Sequence, residues 1–407
     1  MLKYGIIYNR KIRGYKMQTK RKRRKGKIYK NENKRKENHY SFIIKCLKFI
    51  GVGSALTLIL FGGGVLLMKY GTYNTYRVVK EYDIEHDHEG KFYSFQEGVI
   101  KCSTGKVEYL DSNIEPVWTY SINLQNPIVE ERGNYGVVAS RINGEVLLFN
   151  KTGMQGHVDV GYPIEKVDIS EQGIVAVITR NQNIPQVMCY DKFGTLLVEL
   201  STTLSENGYP MNVALSTKGN VLLVSYLVID QKGIRSRVVY YDLAKKGKKI
   251  AEKILPNEIV AEVGYISNDY SYIMGMRSYS IYNNEVTPKE VESKTFDSRI
   301  LGVTSNNEYI GILLDKVNGN GSKIVVYNKE GKENTSISSR HIFDDMLIAK
   351  DEIILWKGGV CEIYKLDGRK RLESKVNEEI RSVFPTQGLN QYIIVGDKEI
   401  KKVQLKR

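Results

Sequence analysis

Residues 145–153, EVLLFNKTG, decide the fold. An aliphatic run ends on an aromatic side chain, then on Asn, then on a turn that closes at Gly. The phrase returns along the chain as KVEYLD at 106–111, QVMCYDKFG at 186–194, RVVYYD at 237–242 and KIVVYNKEG at 323–331, with EIYKLDG at 362–368 and a weaker copy, SIYN, at 280–283. A last strand, KKVQL at 401–405, lacks the turn. Asp or Asn caps such a turn through its own side chain, and Gly takes the positive φ that reverses the chain. Asp111, Asp191 and Asp242 are therefore read as structural rather than catalytic.

The Asp/Asn marks fall at 111, 150, 191, 242, 283, 328 and 367, about 43 residues apart. That period is one four-stranded propeller blade. The two longer steps contain the turn-rich stretches 230–233 (DQKG) and 318–321 (NGNG), which lengthen a hairpin. Before five of the marks, and again before the terminal strand, lies a continuous apolar run: GVVA at 136–139, GIVAVI at 173–178, NVLLV at 220–224, YIGILL at 309–314, EIILW at 352–356 and YIIV at 392–395. Such runs suit strands covered on both faces. Seven marks and the terminal strand predict an all-β, eight-bladed propeller, with seven blades as the alternative. The segment YRVVKEYD at 76–83 has no blade of its own and is expected to close the ring as outer strand of the last blade.

Outward from this array the chain changes character. Residues 49–68, FIGVGSALTLILFGGGVLLM, carry no charge. At 1.5 Å per residue the twenty positions reach roughly 30 Å, the thickness of a bilayer core. No signal-peptidase pattern follows, so an uncleaved transmembrane helix is expected. Residues 1–48 hold 18 Lys/Arg against Glu32 and Glu37, a net of +16. The whole chain is +15, so everything after residue 48 sums to −1. Positive segments stay cytoplasmic, which orients the N-terminus inside and the propeller outside. The expected division is a disordered basic tail at 1–48, the helix at 49–68, a linker at 69–76 and the propeller at 77–407. Met17 offers a second possible start. The tail reads as a topology determinant that contacts anionic lipid; nucleic acid is not expected, because no aromatic platform accompanies the charge.

Candidate chemistry is sparse. In EHDHE at 85–89, His86 and His88 are the metal candidates, a weak pairing unless the segment is a strand. His157 and His341 stand alone. Asp315 with the 318–321 stretch lacks the later acidic ligand of a calcium loop. Arg132, Arg141, Arg180, Arg277 and Arg299 sit near strand ends, where they would suit an anionic ligand in the channel mouth. No nucleophile elbow, phosphate loop or zinc-protease motif occurs, so no catalytic residue and no cofactor is assigned. Cys102, Cys189 and Cys361 fall in blades 1, 3 and 7, too far apart to pair.

The stretch 106–118, with KVEYLD followed by Pro116, Val117 and Trp118, resembles the repeat of quinoprotein-like propellers. The whole chain also resembles DUF5711, a family of membrane-anchored propellers of unknown function from clostridia and their relatives. The first resemblance implies eight blades but no quinone chemistry: only Trp118 and Trp356 exist, so the tryptophan docking between blades is expected to be missing. Non-catalytic relatives of that fold act as scaffolds in envelope assembly. The expected function is an extracytoplasmic scaffold in the plasma membrane that binds an envelope protein or the cell wall. The alternatives are a metal-dependent envelope hydrolase or lyase, and a ligand sensor signalling to the tail.

Overall fold

The structure, a computed structural model, describes residues 45–48, 51, 53–54, 57–63, 71–84, 90–103, 105–180, 185–201, 207–231, 233–285, 287–316 and 321–407. It divides into two compact units, 1–70 and 71–407. In the first, the described residues between 45 and 63 are helical. No helix among the described residues is long and apolar enough to cross a membrane; much of the uncharged run at 49–68 lies outside them. His86, His88 and the 317–320 stretch also lie outside the described residues.

The second unit is eight antiparallel sheets of four strands. Blades 1 to 7 occupy residues 91–121, 127–159, 164–201, 209–256, 262–295, 300–339 and 345–375. Each is built from four consecutive strands. Blade 8 takes three strands from 380–406 and its outer strand, Thr75–Asp83, from the other end of the domain, in antiparallel register from Thr75↔Lys406 to Asp83↔Glu399. The eight-blade count and the closing strand match the sequence reading, and the seven-blade alternative falls.

All seven Asp/Asn marks cap the turn between third and outer strand. Asp191 Oδ1 accepts from Phe193 N at 2.9 Å and Thr195 N at 2.8 Å, and Asn328 Oδ1 does the same for Glu330 and Lys332. Gly194, at φ +89°, supplies the left-handed residue that ends the first of these turns. The apolar runs are the second strands of the blades. One face of each packs on the next blade and the other on the previous one, which explains their unbroken hydrophobicity.

The core is accordingly divided. Eight buried apolar clusters each join two neighbouring blades, including blades 8 and 1, where Phe384, Ile393 and Ile400 meet Phe92, Val99 and Leu110. Both tryptophans sit at such interfaces. Trp118 stacks obliquely on Phe149 of blade 2, and Trp356 Nε1 donates to Arg381 O of blade 8 at 3.2 Å. Elsewhere tyrosine fills the role, as Tyr279 against Tyr327 between blades 5 and 6. Cys102, Cys189 and Cys361 are buried and free in blades 1, 3 and 7. Burial pushes each thiol up to about 12, so they are inert packing groups.

The entry of the chain into the ring is pinned by a buried polar network. Tyr73 forms a parallel bridge with Leu372 of blade 7 just before the closing strand. Asn390 Nδ2 donates to the Tyr73 hydroxyl at 2.8 Å, and Arg371 donates to Asn390 Oδ1 at 2.5 Å and to the Glu352 carboxylate. Tyr392 donates to the other oxygen of Glu352 at 2.6 Å.

Candidate functional site

The innermost strands of the blades border the axis and bring polar side chains to it. The strand Pro127–Arg132, PIVEER, shows this directly. Together they line a central cavity of about 900 Å³ whose wall is mainly charged and polar. Glu130 and Arg132 come from blade 2, Lys166 and Asp168 from blade 3, and Glu262 and Tyr265 from blade 5.

Two of these charges hold the backbone of one residue. Arg132 Nη1 donates to Leu215 O at 2.9 Å, while Asp168 Oδ2 accepts from Leu215 N at 2.6 Å, so blades 2, 3 and 4 are tied at the axis. Tyr272 donates to Glu262 Oε1 at 2.7 Å. Glu131 accepts from Gln96 N at 2.8 Å and Ser94 Oγ at 3.1 Å of blade 1. Glu130 has no hydrogen-bond or ion-pair partner among the described residues. The enclosure of the channel raises the carboxyls of Glu131, Asp168 and Glu262 above the ordinary range. Glu130, although its side chain is exposed to channel solvent, is pushed up to about 8, by the surrounding protein first and then by the negative charges of Asp168 and Glu262, against Arg132 and Lys166.

The turns between first and second strands form a chain of contacts around one mouth of the channel. Gln96 donates to Gly133 O at 3.2 Å, Glu171 N to Thr217 O at 3.0 Å, and Lys218 N to Asn268 Oδ1 at 3.2 Å. Asn306 donates to Lys350 O at 3.4 Å, Lys350 to Thr386 O at 3.0 Å, and Gln387 to Glu97. One bond leaves this circle: Asn307 Nδ2 donates to Glu171 Oε1 at 3.1 Å, from blade 6 to blade 3.

The opposite face carries the loops that enter each blade. There the hairpin of blade 4, Val221–Asp230 with Gly233–Asp242, outruns the inner strand, whose pairing stops at Tyr209↔Leu227. Ile229 and Ile234 pair at its tip and are 69% and 44% exposed. Asn257 N donates to Ile234 O, which places exposed Ile259 next in line. Glu258 then bonds Ser278, beside exposed Met276. Met276 also lines a pocket of about 290 Å³ with Met274, Arg299, Ile300 and Leu301. Exposed apolar side chains thus recur on this face in blades 4 and 5, beside a pocket walled partly by blade 6.

Of the five arginines singled out in the sequence, only Arg132 lines the central cavity, and it already serves Leu215. Arg141 and Arg180 converge instead on Glu165, at 3.0 Å to its carbonyl and 2.7 Å to its carboxylate; Arg299 lines the smaller pocket, and Arg277 is exposed on a loop. The channel acids were not identifiable in the sequence, since Glu130, Asp168 and Glu262 lie on three separate repeats. His157 pairs with Glu145. Among the described residues, one group gathers metal-type ligand atoms: His341, Glu362 and Glu373 within 4.8 Å. Lys370 donates to both carboxylates, at 3.1 and 2.7 Å, and Arg340 also bonds Glu373. Those cations hold Glu373 at about 2, so the group is a neutralised ion-pair network.

Eight four-stranded blades around a central cavity of mixed charge define an eight-bladed β-propeller. The chain belongs to the family of unknown function DUF5711, whose family model matches residues 69–405. Its fold is similar to that of BamB from Moraxella catarrhalis, with a TM-score of 0.54 and 13% identity over 81% of this chain and 100% of that one. It is also similar to Sqt1 from Saccharomyces cerevisiae, at 0.57 and 12% over 82% and 99%. These likenesses are of fold. The sequence matches no protein of curated function.

Proposed function

We propose that this chain is a non-enzymatic scaffold of the bacterial envelope. A single helix over residues 49–68 tethers it to the plasma membrane, with the basic tail inside against anionic lipid and the propeller outside. The loop face binds an envelope protein or a cell-wall component. The observation that carries this reading is the recurrence of exposed Ile229, Ile234, Ile259 and Met276 on one face. Large apolar side chains clustered on one face of a folded domain mark an interaction surface. The charge split of +16 and −1 around an uncharged run of twenty residues supports the topology.

The test is crosslinking in intact cells with the full-length chain and with I229D and M276D variants. A partner captured by the wild type and lost from both variants, with unchanged melting temperatures, supports the reading. Identical capture by all three removes the loop face from it. In the same cells, a membrane-impermeant reagent should label a cysteine placed at exposed Ser336; protection of that site removes the extracytoplasmic placement.

A further inference from the structure

The innermost strands of neighbouring blades run close together around the ring, except between blades 5 and 6, where Glu262–Ser267 and Ile300–Ser305 stand apart. Tyr272, part of the apolar cluster shared by these two blades, covers Gly264, where an added Cβ would sit 2.3 Å from the ring. Toward the loop face the gap stays open as the pocket of about 290 Å³. Glu262 and Val303 line both this pocket and the central cavity, so one wall separates the two.

The pocket combines an apolar interior with one uncommitted cation. Met274, Met276, Ile300 and Leu301 line it, and methionine adapts to guests of irregular shape. Two charged side chains also line it. Glu262 is engaged by the Tyr272 hydroxyl. Arg299 is exposed, and its guanidinium has no hydrogen-bond or ion-pair partner among the described residues. Ile300 N donates to Met276 O at 3.1 Å, which fixes the arginine's strand against the methionine turn. Glu258 reaches Gly275 but bonds Ser278 and does not line the pocket. A free guanidinium at the rim of an apolar pocket is complementary to a carboxylate beside a large apolar group. A volume of about 290 Å³ lies at the small end of ligand pockets and suits a side chain better than a drug-sized molecule. Exposed Ile259, two residues before Ala261 of the pocket wall, offers further surface to whatever carries that side chain.

We propose that the pocket between blades 5 and 6 receives a polypeptide segment in which a large apolar side chain adjoins a carboxylate. The side chain enters among Met274, Met276 and Ile300, and the carboxylate pairs with Arg299. A chain terminus or a neighbouring Asp or Glu supplies the same carboxylate. The inference rests on the loop-face reading above and narrows it: the partner is a protein rather than a cell-wall glycan.

The experiment is calorimetric titration of the full-length protein in lipid nanodiscs with three probes: acetyl-Leu-Phe as the free acid, its amide, and acetyl-Glu-Phe amide. At least one of the two acids should bind at a single saturable site with about millimolar affinity, and the uncharged amide about tenfold or more weakly. Tighter binding of the free acid identifies a chain terminus; tighter binding of the Glu peptide identifies a side-chain carboxylate. Arg299→Gln should remove the difference between acids and amide, whereas Lys375→Gln, on an exposed strand end of blade 7, should leave it intact. The proposal is overturned by the absence of saturable binding up to about 10 mM, by equal affinity of acids and amide for the wild type, or by a difference that survives Arg299→Gln. In the cellular crosslinking, capture retained by Arg299→Gln but lost from I229D overturns this pocket and leaves the loop-face reading standing. Failure of that reading shows instead as capture retained by both I229D and M276D.

Discussion

Asn307 of blade 6 and Glu171 of blade 3 meet across the mouth of the channel, amide nitrogen to carboxylate oxygen at 3.1 Å. They stand 136 residues apart and neither is buried. The bond therefore adds little to folding, but it divides the opening that leads to the acids.

Replacing either residue by Ala should cost less than about 1 kcal/mol, since an exposed hydrogen bond to a charged group exchanges readily with water. The pair should nonetheless couple by about 0.5 kcal/mol in a double-mutant cycle measured by denaturant unfolding. A coupling of zero would mean that the two side chains do not hold the mouth.

Ring closure should be far more sensitive. Arg371 and Glu352 are 4% and 6% exposed, and removing the guanidinium strips Glu352 of one of its buried counter-charges. Arg371→Ala is expected to lose about 3–5 kcal/mol. Tyr73→Phe, which removes one hydrogen bond to Asn390, should lose about 1 kcal/mol. Chemical denaturation of the two variants checks the ranking; equal effects would refute the network as a clasp.

The turn caps give a smaller, repeated effect. Asp191 receives two backbone N–H groups with one oxygen. Asp191→Ala should cost about 1–2 kcal/mol and Asp191→Asn much less, because Asn keeps the acceptor. Thermal unfolding of both variants tests this, and equal losses would show that charge rather than the cap matters.

Glu130 should make stability fall as pH rises. Its carboxyl ionises near 4.5 in the unfolded chain and near 8 in the channel. The folded state therefore binds the extra proton between those values, and the stabilisation present below pH 4.5 is lost as pH climbs through 8. Channel water screens the charge, so the change is about 1 kcal/mol at most. Glu130→Gln should flatten the decline, as measured by urea unfolding from pH 5 to pH 8.5. A parallel profile in the variant would remove Glu130 as its source.

The parts of this fold that a sequence displays are the parts that repeat. Asn150, Asp191 and Asn328 announce the blades because each does the same local job with the residues directly after it. The runs at 173–178 and 309–314 are legible because both faces of those strands are dry. The innermost strands escape this logic: Pro127–Arg132 is only partly buried, Glu262–Ser267 is buried along its middle and polar at its ends, and their polar residues match no motif. The channel site is built from residues 38 and 94 positions apart, Glu130 to Asp168 and Asp168 to Glu262, which only the closed ring assembles. Arg132 was found as a channel residue, but its use, holding the Leu215 backbone, depends on a neighbour two blades away. The long step between Asp191 and Asp242 showed that blade 4 has an extended hairpin. Its exposed isoleucines became a face only beside Ile259 and Met276.

The strand that completes blade 8 also sets a timetable. Thr75–Asp83 leaves the ribosome early, while its partner Glu399–Lys406 follows about 316 residues later. At ~5–20 residues per second, the first strand waits roughly 15–60 s for the last. Seven blades can assemble on the way, yet each interface gained leaves the circle open. During that interval Arg77, Lys80, Glu81 and Asp83 keep a lone strand edge charged and unattractive to other chains. The closing strand is thus a delayed seal, and synthesis of the final residues is the event that makes the propeller whole.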